Sequence, residues 1–259
     1  MKLKIRNIGL VILALMASCE KNSNSFPEGI YLEQVIYHQN VDQINHYYYN
    51  KSGLLTEREY QFNSVIAEKF LFQYTDGQIS RIDFYAMKNN TDQTLYHQFY
   101  LLYEYASGKI IKSTNFPEEI SYTYEYDSEG RVQKISGPES VTNYEYDISG
   151  NVIKSDATYA GNQKWNFYYE YDTMKNPFQH VDPIYGNSGG VDFISYKCPN
   201  NVVKQTFINE HLDTVYVSEY YYTYNDHHLP VESYELFTSE SNGYYRDSMH
   251  HRFFEYKVF

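Results

Sequence analysis

Tyr124-Glu125-Tyr126-Asp127-Ser128-Glu129-Gly130-Arg131-Val132-Gln133-Lys134 is written again, in variant form, as Tyr144-Glu145-Tyr146-Asp147-Ile148-Ser149-Gly150-Asn151-Val152-Ile153-Lys154. Tyr103-Glu104-Tyr105-Ala106-Ser107-Gly108-Lys109-Ile110-Ile111-Lys112 is the same unit with one loop residue fewer. Phe72-Gln73-Tyr74-Thr75-Asp76-Gly77-Gln78-Ile79-Ser80-Arg81 is a second short copy. Weaker copies centre on Tyr49, Tyr171, Tyr196 and Tyr224, giving eight anchors: Tyr49, Tyr74, Tyr105, Tyr126, Tyr146, Tyr171, Tyr196 and Tyr224. Their spacings run from 20 to 31 residues. Each interval holds two strands and two turns, and no helical period interrupts them.

The turns predict how the strands pair. Asp-x-x-Gly is a type I turn, with Asp first and Gly fourth, where the chain needs a left-handed residue. Asp76-Gly77 and Ser107-Gly108 are two-residue primed turns. Both loop lengths set an aromatic opposite a β-branched residue: Tyr126 with Val132, Tyr146 with Val152, Tyr74 with Ile79 and Tyr105 with Ile110. One step further, the same counting sets Tyr124 opposite Lys134, Tyr144 opposite Lys154, Phe72 opposite Arg81 and Tyr103 opposite Lys112. Alternation puts Tyr122, Tyr124 and Tyr126 on one face and Thr123 and Glu125 on the other. Trp165, Phe167, Tyr169 and Tyr171 repeat the pattern, as do Tyr220, Tyr222 and Tyr224. The expected sheet therefore has one aromatic face crossed by Lys and Arg, and one of Glu, Thr and Asn for water. Glu57, Gln179 and Glu232 replace the cation in three units.

The fold class that follows is all-β: an antiparallel meander of tandem hairpins, about 16 to 18 strands, two per unit. Closure into a barrel-like sheet removes exposed edges. The 259 residues include 32 Tyr and 15 Phe, and Tyr can build such a core while keeping its hydroxyl wet. A formal charge of −12 argues against a nucleic-acid partner. Two cysteines exclude a disulfide framework or a Cys-rich metal site.

The N-terminus is an address. Lys2, Lys4 and Arg6 precede an apolar run from Ile8 to Met16, too short to span a bilayer. Leu15-Met16-Ala17-Ser18-Cys19 resembles the lipobox of bacterial lipoproteins, in which cleavage leaves a lipidated cysteine as the first residue. The expected organisation is a signal peptide over 1–18, lipidated Cys19 with its tether over 19–29, and the repeat domain over 30–259. The acidic-lysine start after Cys19 resembles Bacteroidetes lipoproteins bound for the outer membrane, on its periplasmic or surface face.

The repeats resemble the YD repeat (Tyr-x-Tyr-Asp-x-x-Gly-Arg) of RHS-type proteins. The chain is similar, more narrowly, to Bacteroidetes prolipoproteins carrying a domain of unknown function described as porin-like. Tyr171-Asp172-Thr173-Met174-Lys175-Asn176-Pro177-Phe178 and Pro199-Asn200-Asn201-Val202-Val203-Lys204 look specific to that group. The resemblance implies an all-antiparallel coiled or barrel-like sheet over residues 30–259 and carries no catalytic residue. Porin-like need not mean membrane-spanning. The face opposite the tyrosines carries Thr123, Glu125, Glu145, Asn166 and Glu170, where a transmembrane barrel needs an apolar band. The expected membrane contact is the N-terminal lipid alone.

No motif for catalysis, metal or cofactor stands out. There is no HExxH spacing, nucleophile elbow, P-loop or dinucleotide fingerprint. His250 and His251, adjacent in a strand, point to opposite faces and cannot chelate together. Cys198 reads as a structural thiol. Asp172-Thr173-Met174, Asp213-Thr214-Val215 and Asp247-Ser248-Met249 resemble O-glycosylation sites of exported Bacteroidetes proteins. The insert from Asn176 to Val191 breaks the repeat, and long loops on regular scaffolds tend to carry function. Trp165 and Tyr185 are the candidate ligand-binding residues beside it. The expectation is a non-catalytic binding or scaffolding module with no cofactor and a glycan or protein partner. One alternative is a glycan-binding face of exposed aromatics. The other is a hydrolase with two carboxylates converging in a pocket, roughly 5–9.5 Å apart. Burial of Tyr124, Tyr144 and Tyr169 separates a core from an open platform.

Overall fold

The computed structural model describes residues 29–38, 42–89, 92–181, 198–209, 214–241 and 244–258. Cys19 and its tether, Tyr185 and Tyr196 lie outside the described residues. The chain runs β1 (Ile30–His38), β2 (Asp42–Tyr49), β3 (Leu55–Phe62), β4 (Val65–Thr75), β5 (Gln78–Asn89) and β6 (Asp92–Ala106). It continues through β7 (Lys109–Phe116), β8 (Ile120–Tyr126), β9 (Val132–Ser136), β10 (Ser140–Tyr146) and β11 (Val152–Tyr159). Then come β12 (Gln163–Lys175), a 3-10 turn (Pro177–His180), β13 (Asn200–Asn209), β14 (Thr214–Tyr224), β15 (Pro230–Ser241) and β16 (Tyr244–Val258). Each strand pairs antiparallel with the next, and β16 pairs with β1 to close a 16-stranded barrel.

The turns have the expected chemistry. Asp76 and Gly77 (φ 51° and 77°), like Ser107 and Gly108 (φ 50° and 78°), are left-handed at both central positions, as a primed turn requires. In the longer loops Gly130 (φ 84°) and Gly150 (φ 91°) take the left-handed place. The Asp127 carboxylate accepts the Glu129 and Arg131 amides at 2.9 Å each and Arg131 Nε at 2.7 Å, fixing the loop from inside.

The register departs from the simple count at one place in every unit. Tyr126 faces Val132, Tyr146 Val152, Tyr74 Ile79 and Tyr105 Ile110, as the turns predict. A β-bulge follows each pair, so the next partners are Glu125 with Lys134, Glu145 with Lys154, Gln73 with Arg81 and Glu104 with Lys112. Tyr124 therefore faces Ile135, Tyr144 Ser155, Phe72 Ile82 and Tyr103 Ser113. The three lysines of these pairs do not cross the aromatic face. They lie on the outer face in ion pairs: Lys134–Glu125 at 2.6 Å, Lys112–Glu104 at 3.0 Å and Lys154–Glu145 at 3.1 Å. One extra residue flips the parity, and so spares each ammonium the cost of burial among rings.

With these lysines outside, the aromatic side forms the barrel interior. Tyr124 and Tyr144 are each 6% exposed and Tyr169 5%, which makes these rings core and not an open platform. Their hydroxyls are used systematically. Tyr74 OH donates to Leu55 O (2.7 Å), Tyr105 to Ile79 O (2.8 Å), Tyr126 to Ile110 O (2.8 Å) and Tyr146 to Val132 O (2.7 Å). Tyr171 donates to Val152 O at 2.7 Å, Tyr222 to Val202 O at 2.9 Å and Tyr256 to Pro230 O at 2.6 Å. Each anchor thus ties its hairpin to the return strand of the hairpin before it. Burying a tyrosine hydroxyl is tolerable because it is satisfied this way.

Tyr224 holds the anchor's place opposite Pro230 beside the same bulge, but its hydroxyl donates to the Asp172 carboxylate, and Tyr222 makes the bond to Val202 O. β16 is also a first strand, where Phe254-Glu255-Tyr256 repeats the Tyr-Glu-Tyr pattern and Tyr256 makes the anchor bond to Pro230 O. The return strand for β16 is β1, so the last repeat is split between the two ends of the fold.

The interior packs as two clusters. Leu32, Val35, Leu55, Ile82 and Leu101, each 0–1% exposed, anchor the larger with Tyr47, Phe72 and Tyr103. Tyr144, Val152, Ala157, Phe167, Tyr169 and Cys198 form the smaller. At the end where the tight turns gather, the two segments singled out in the sequence meet. Asn176 donates its backbone N–H to Pro199 O at 3.0 Å and its side-chain amide to Cys198 O at 3.0 Å. Asn200 and Asn201 donate to the Met174 and Lys175 carbonyls at 3.1 Å each, and Asn151 bonds Asn200. Neighbouring amides satisfy a chain that can no longer pair as a ladder. The 3-10 turn lays Phe178 against Phe254, ring centroids 6.1 Å apart, and so packs into the barrel at this end.

Candidate functional site

The cavities described here are walled by β12–β16. At the opposite end from the tight turns, Trp165 and Phe167 on β12, Gln205, Phe207 and Asn209 on β13, Tyr216 and Ser218 on β14, and Phe237 on β15 enclose about 450 Å³. Period-two alternation puts these side chains on the inner face, and the antiparallel register lines them up across four strands: Phe167 opposite Phe207, Phe207 opposite Tyr216, Ser218 opposite Phe237. Their rings form a ladder. Phe167–Phe207 centroids are 4.6 Å apart, Phe207–Tyr216 5.4 Å and Tyr216–Phe237 5.7 Å, all stacked. Trp165 meets Phe207 edge-on at 5.5 Å and Tyr159 at 4.5 Å. Its Nε1 is buried and has no hydrogen-bond partner among the described residues, so ring packing positions the indole.

A deeper cavity of about 240 Å³ lies toward the tight-turn end, lined by Gln205, Tyr220, Tyr222, Arg252, Phe254 and the Asn176–Phe178 segment among others. Gln205 lines both chambers. Arg252 donates through Nη2 to Glu235 and sits 5.4 Å from the centroids of Tyr37 and of Tyr220. Burial works against its charge, but Tyr37, Glu235, Tyr220 and Tyr222 outweigh it and raise its pKa. Glu235 also accepts Ser218 Oγ at 2.8 Å and Tyr220 OH at 3.3 Å. Burial, then Glu235, raises the pKa of Tyr220, so it stays a neutral donor.

Trp165 lines the larger chamber, while residues 182–191 of the insert lie outside the described residues. Trp165 lies near the start of β12 and the insert leaves from its end, ten residues and about 33 Å of strand away. Tyr185 lies outside the described residues. The anchor tyrosines are structural. Cys198 is buried, receives the Val152 N–H at 3.2 Å, and burial pushes its thiol up to about 11, which makes it a poor nucleophile. His250 and His251 do separate across the strand, His250 3.6 Å from Glu235 inside and His251 2.7 Å from Glu232 outside. Among the described residues no group of three or more His, Cys, Asp or Glu could hold a metal, and no Asp or Glu lines either chamber.

Sequence reasoning missed Arg252 and the partners of Trp165. The signal for Arg252 was present: it shares the inner parity of Phe254 and Tyr256, where a lone cation on an aromatic face is costly. Phe207, Tyr216 and Phe237 alternate inward like the Tyr rows, on β13, β14 and β15, and the register sets them beside β12.

The molecule defined by this geometry is a closed barrel of tandem hairpins with an aromatic-filled interior. It resembles in fold the crystal structure of a porin-like protein from Bacteroides uniformis, with a TM-score of 0.60 at 13% identity over 87% of this chain and 98% of that one. A porin-like protein from Bacteroides vulgatus aligns over 87% of this chain and 98% of that one, at 14% identity and a TM-score of 0.42. No protein-family model matches the sequence. No curated protein matches it either.

Proposed function

We propose that this protein is a lipid-anchored envelope lipoprotein that captures a glycan in its loop-end chamber, without catalysing its breakdown. The ring ladder from Phe167 to Phe237, with Trp165 at its edge, carries this reading. Aromatic faces stack on the apolar faces of sugar rings, and about 450 Å³ falls within the usual range for small-ligand sites. In this chamber Trp165, Phe207, Tyr216 and Phe237 stay half-buried, in contrast to the buried Tyr124, Tyr144 and Tyr169. The leader with its lipobox at Cys19, the likeness to YD-type repeats and the porin-like fold support an envelope setting. The outer face carries ion pairs such as Lys134–Glu125 and Lys154–Glu145, which suits a barrel held at the membrane by its lipid and not embedded in it.

The test is a glycan array probed with purified residues 20–259 beside Trp165→Ala and Tyr185→Ala variants. A specific hit lost in Trp165→Ala supports the chamber. A hit lost only in Tyr185→Ala moves the site to the insert. A blank array from folded protein contradicts glycan capture and turns attention to protein partners.

A further inference from the structure

Below the ring ladder, the wall changes from apolar to ionic within one strand step. Ser218, which lines the upper chamber, donates to Glu235 at 2.8 Å, and Glu235 accepts Arg252, which lines the lower one. The two partners are unequally engaged. Glu235 is 10% exposed at its side chain and accepts three donors, Ser218, Tyr220 and Arg252. Arg252 is 22% exposed at its side chain although it lies in the interior, and among the described residues it makes one hydrogen bond from its fork of N–H groups. Its Nε is covered, while Nη1 has no hydrogen-bond partner among the described residues. A guanidinium held between two tyrosine rings and aimed at a cavity is a preorganised receptor for a planar anion.

On this basis we propose that the glycan taken by the barrel is acidic, with a ring carboxylate received by Arg252 while neighbouring sugar faces lie against the aromatic ladder. The idea rests on the glycan reading above and adds to it the chemical class of the ligand. Gln205, shared by both chambers, lies where the two parts of the ligand would join. Glu235 keeps its negative charge, and the Arg252 guanidinium paired with it offsets that charge at short range. The protein as a whole is acidic, at −12, so attraction must be local and short-range and not long-range steering.

The molecule supplies its own reporter, since Trp165 is its one tryptophan. Trigalacturonate and its fully methyl-esterified form differ in charge and little else. Titrating each into residues 20–259 while following Trp165 fluorescence should show the acid binding at least tenfold tighter than the ester. Arg252→Gln alone would strand Glu235, so the informative variant is Arg252→Gln combined with Glu235→Gln, with circular dichroism reporting its fold. That variant should bind acid and ester alike. Equal binding of the two ligands by the unaltered protein overturns the assignment while leaving glycan capture standing. A preference for the acid that survives in the double variant also overturns it, by placing the anion elsewhere. No response to either ligand, with no neutral glycan bound on the array, overturns both readings.

Discussion

The flank from β4 to β11 and the flank from β12 to β16 are made of the same hairpin, and they do different things with it. In the first, turn, bulge, anchor hydroxyl and outer ion pair recur with little change. Tyr105, Tyr126 and Tyr146 close onto the preceding hairpin within 2.7–2.8 Å. In the second, a long insert divides β12 from β13, the bond to Val202 O comes from Tyr222 and not Tyr224, and a cation enters the interior at Arg252. Both chambers belong to this second flank. Repetition fills space with the same side chain at the same depth. Space for a ligand opens where the repeat is broken.

Alkaline pH tests what both flanks share. Burial, the first cause in each case, raises the pKa of Tyr124 to about 12 and those of Tyr144, Tyr146 and Tyr222 upward as well. A folded pKa above the unfolded one gives stability that is complete below pH 10 and is lost as pH rises through the folded value. Each such tyrosine contributes a slope of about 1.4 kcal/mol per pH unit. The barrel should therefore unfold cooperatively between about pH 10 and 12, followed by circular dichroism and tyrosinate absorbance together. Ionisation of all the tyrosines near pH 10, the buried ones with the exposed Tyr168 and Tyr221, in a barrel that stays folded would contradict the buried lattice.

Core truncation should separate the flanks. Leu101→Ala, at a position with no exposure, should cost about 2–5 kcal/mol in denaturant unfolding. Phe237→Ala, whose ring faces a cavity already present, should cost clearly less while weakening ligand binding. Equal losses would mean that the chamber is structural core. A smaller effect is expected at the anchors: Tyr146→Phe removes one hydroxyl bond to Val132 O and should cost about 1–3 kcal/mol, because a buried carbonyl loses its partner. The smallest belongs to the outer face. Lys134→Ala breaks an exposed pair with Glu125 and should cost less than about 1 kcal/mol. A large effect there would mean that the lysine does face inward, as the unbulged register would have it.

Much of this architecture is legible in the residues. Asp127-x-x-Gly130 and Asp76-Gly77 specify their turns through local dihedral preference, and the first pair after each turn follows directly. The bulge does not announce itself, because it is set by where Lys134 can find Glu125 and water, and this depends on the whole sheet. The split repeat was hidden for a related reason: Phe254-Glu255-Tyr256 lacks a turn after it, since its return strand is at the other end of the chain. For the site, Trp165 stood out as a lone large ring. Its neighbours come from three further strands, and only the register brings Phe207, Tyr216 and Phe237 beside it.

The division between scaffold and site can be measured without a ligand. Native-state hydrogen exchange by mass spectrometry, peptide by peptide, reports local opening energies along the barrel. The account predicts that amides in 109–159 exchange only with global unfolding, while those in 202–209 and 214–220, around the chambers, open locally and exchange faster. Uniform protection around the barrel, or faster exchange in the regular flank, would contradict it.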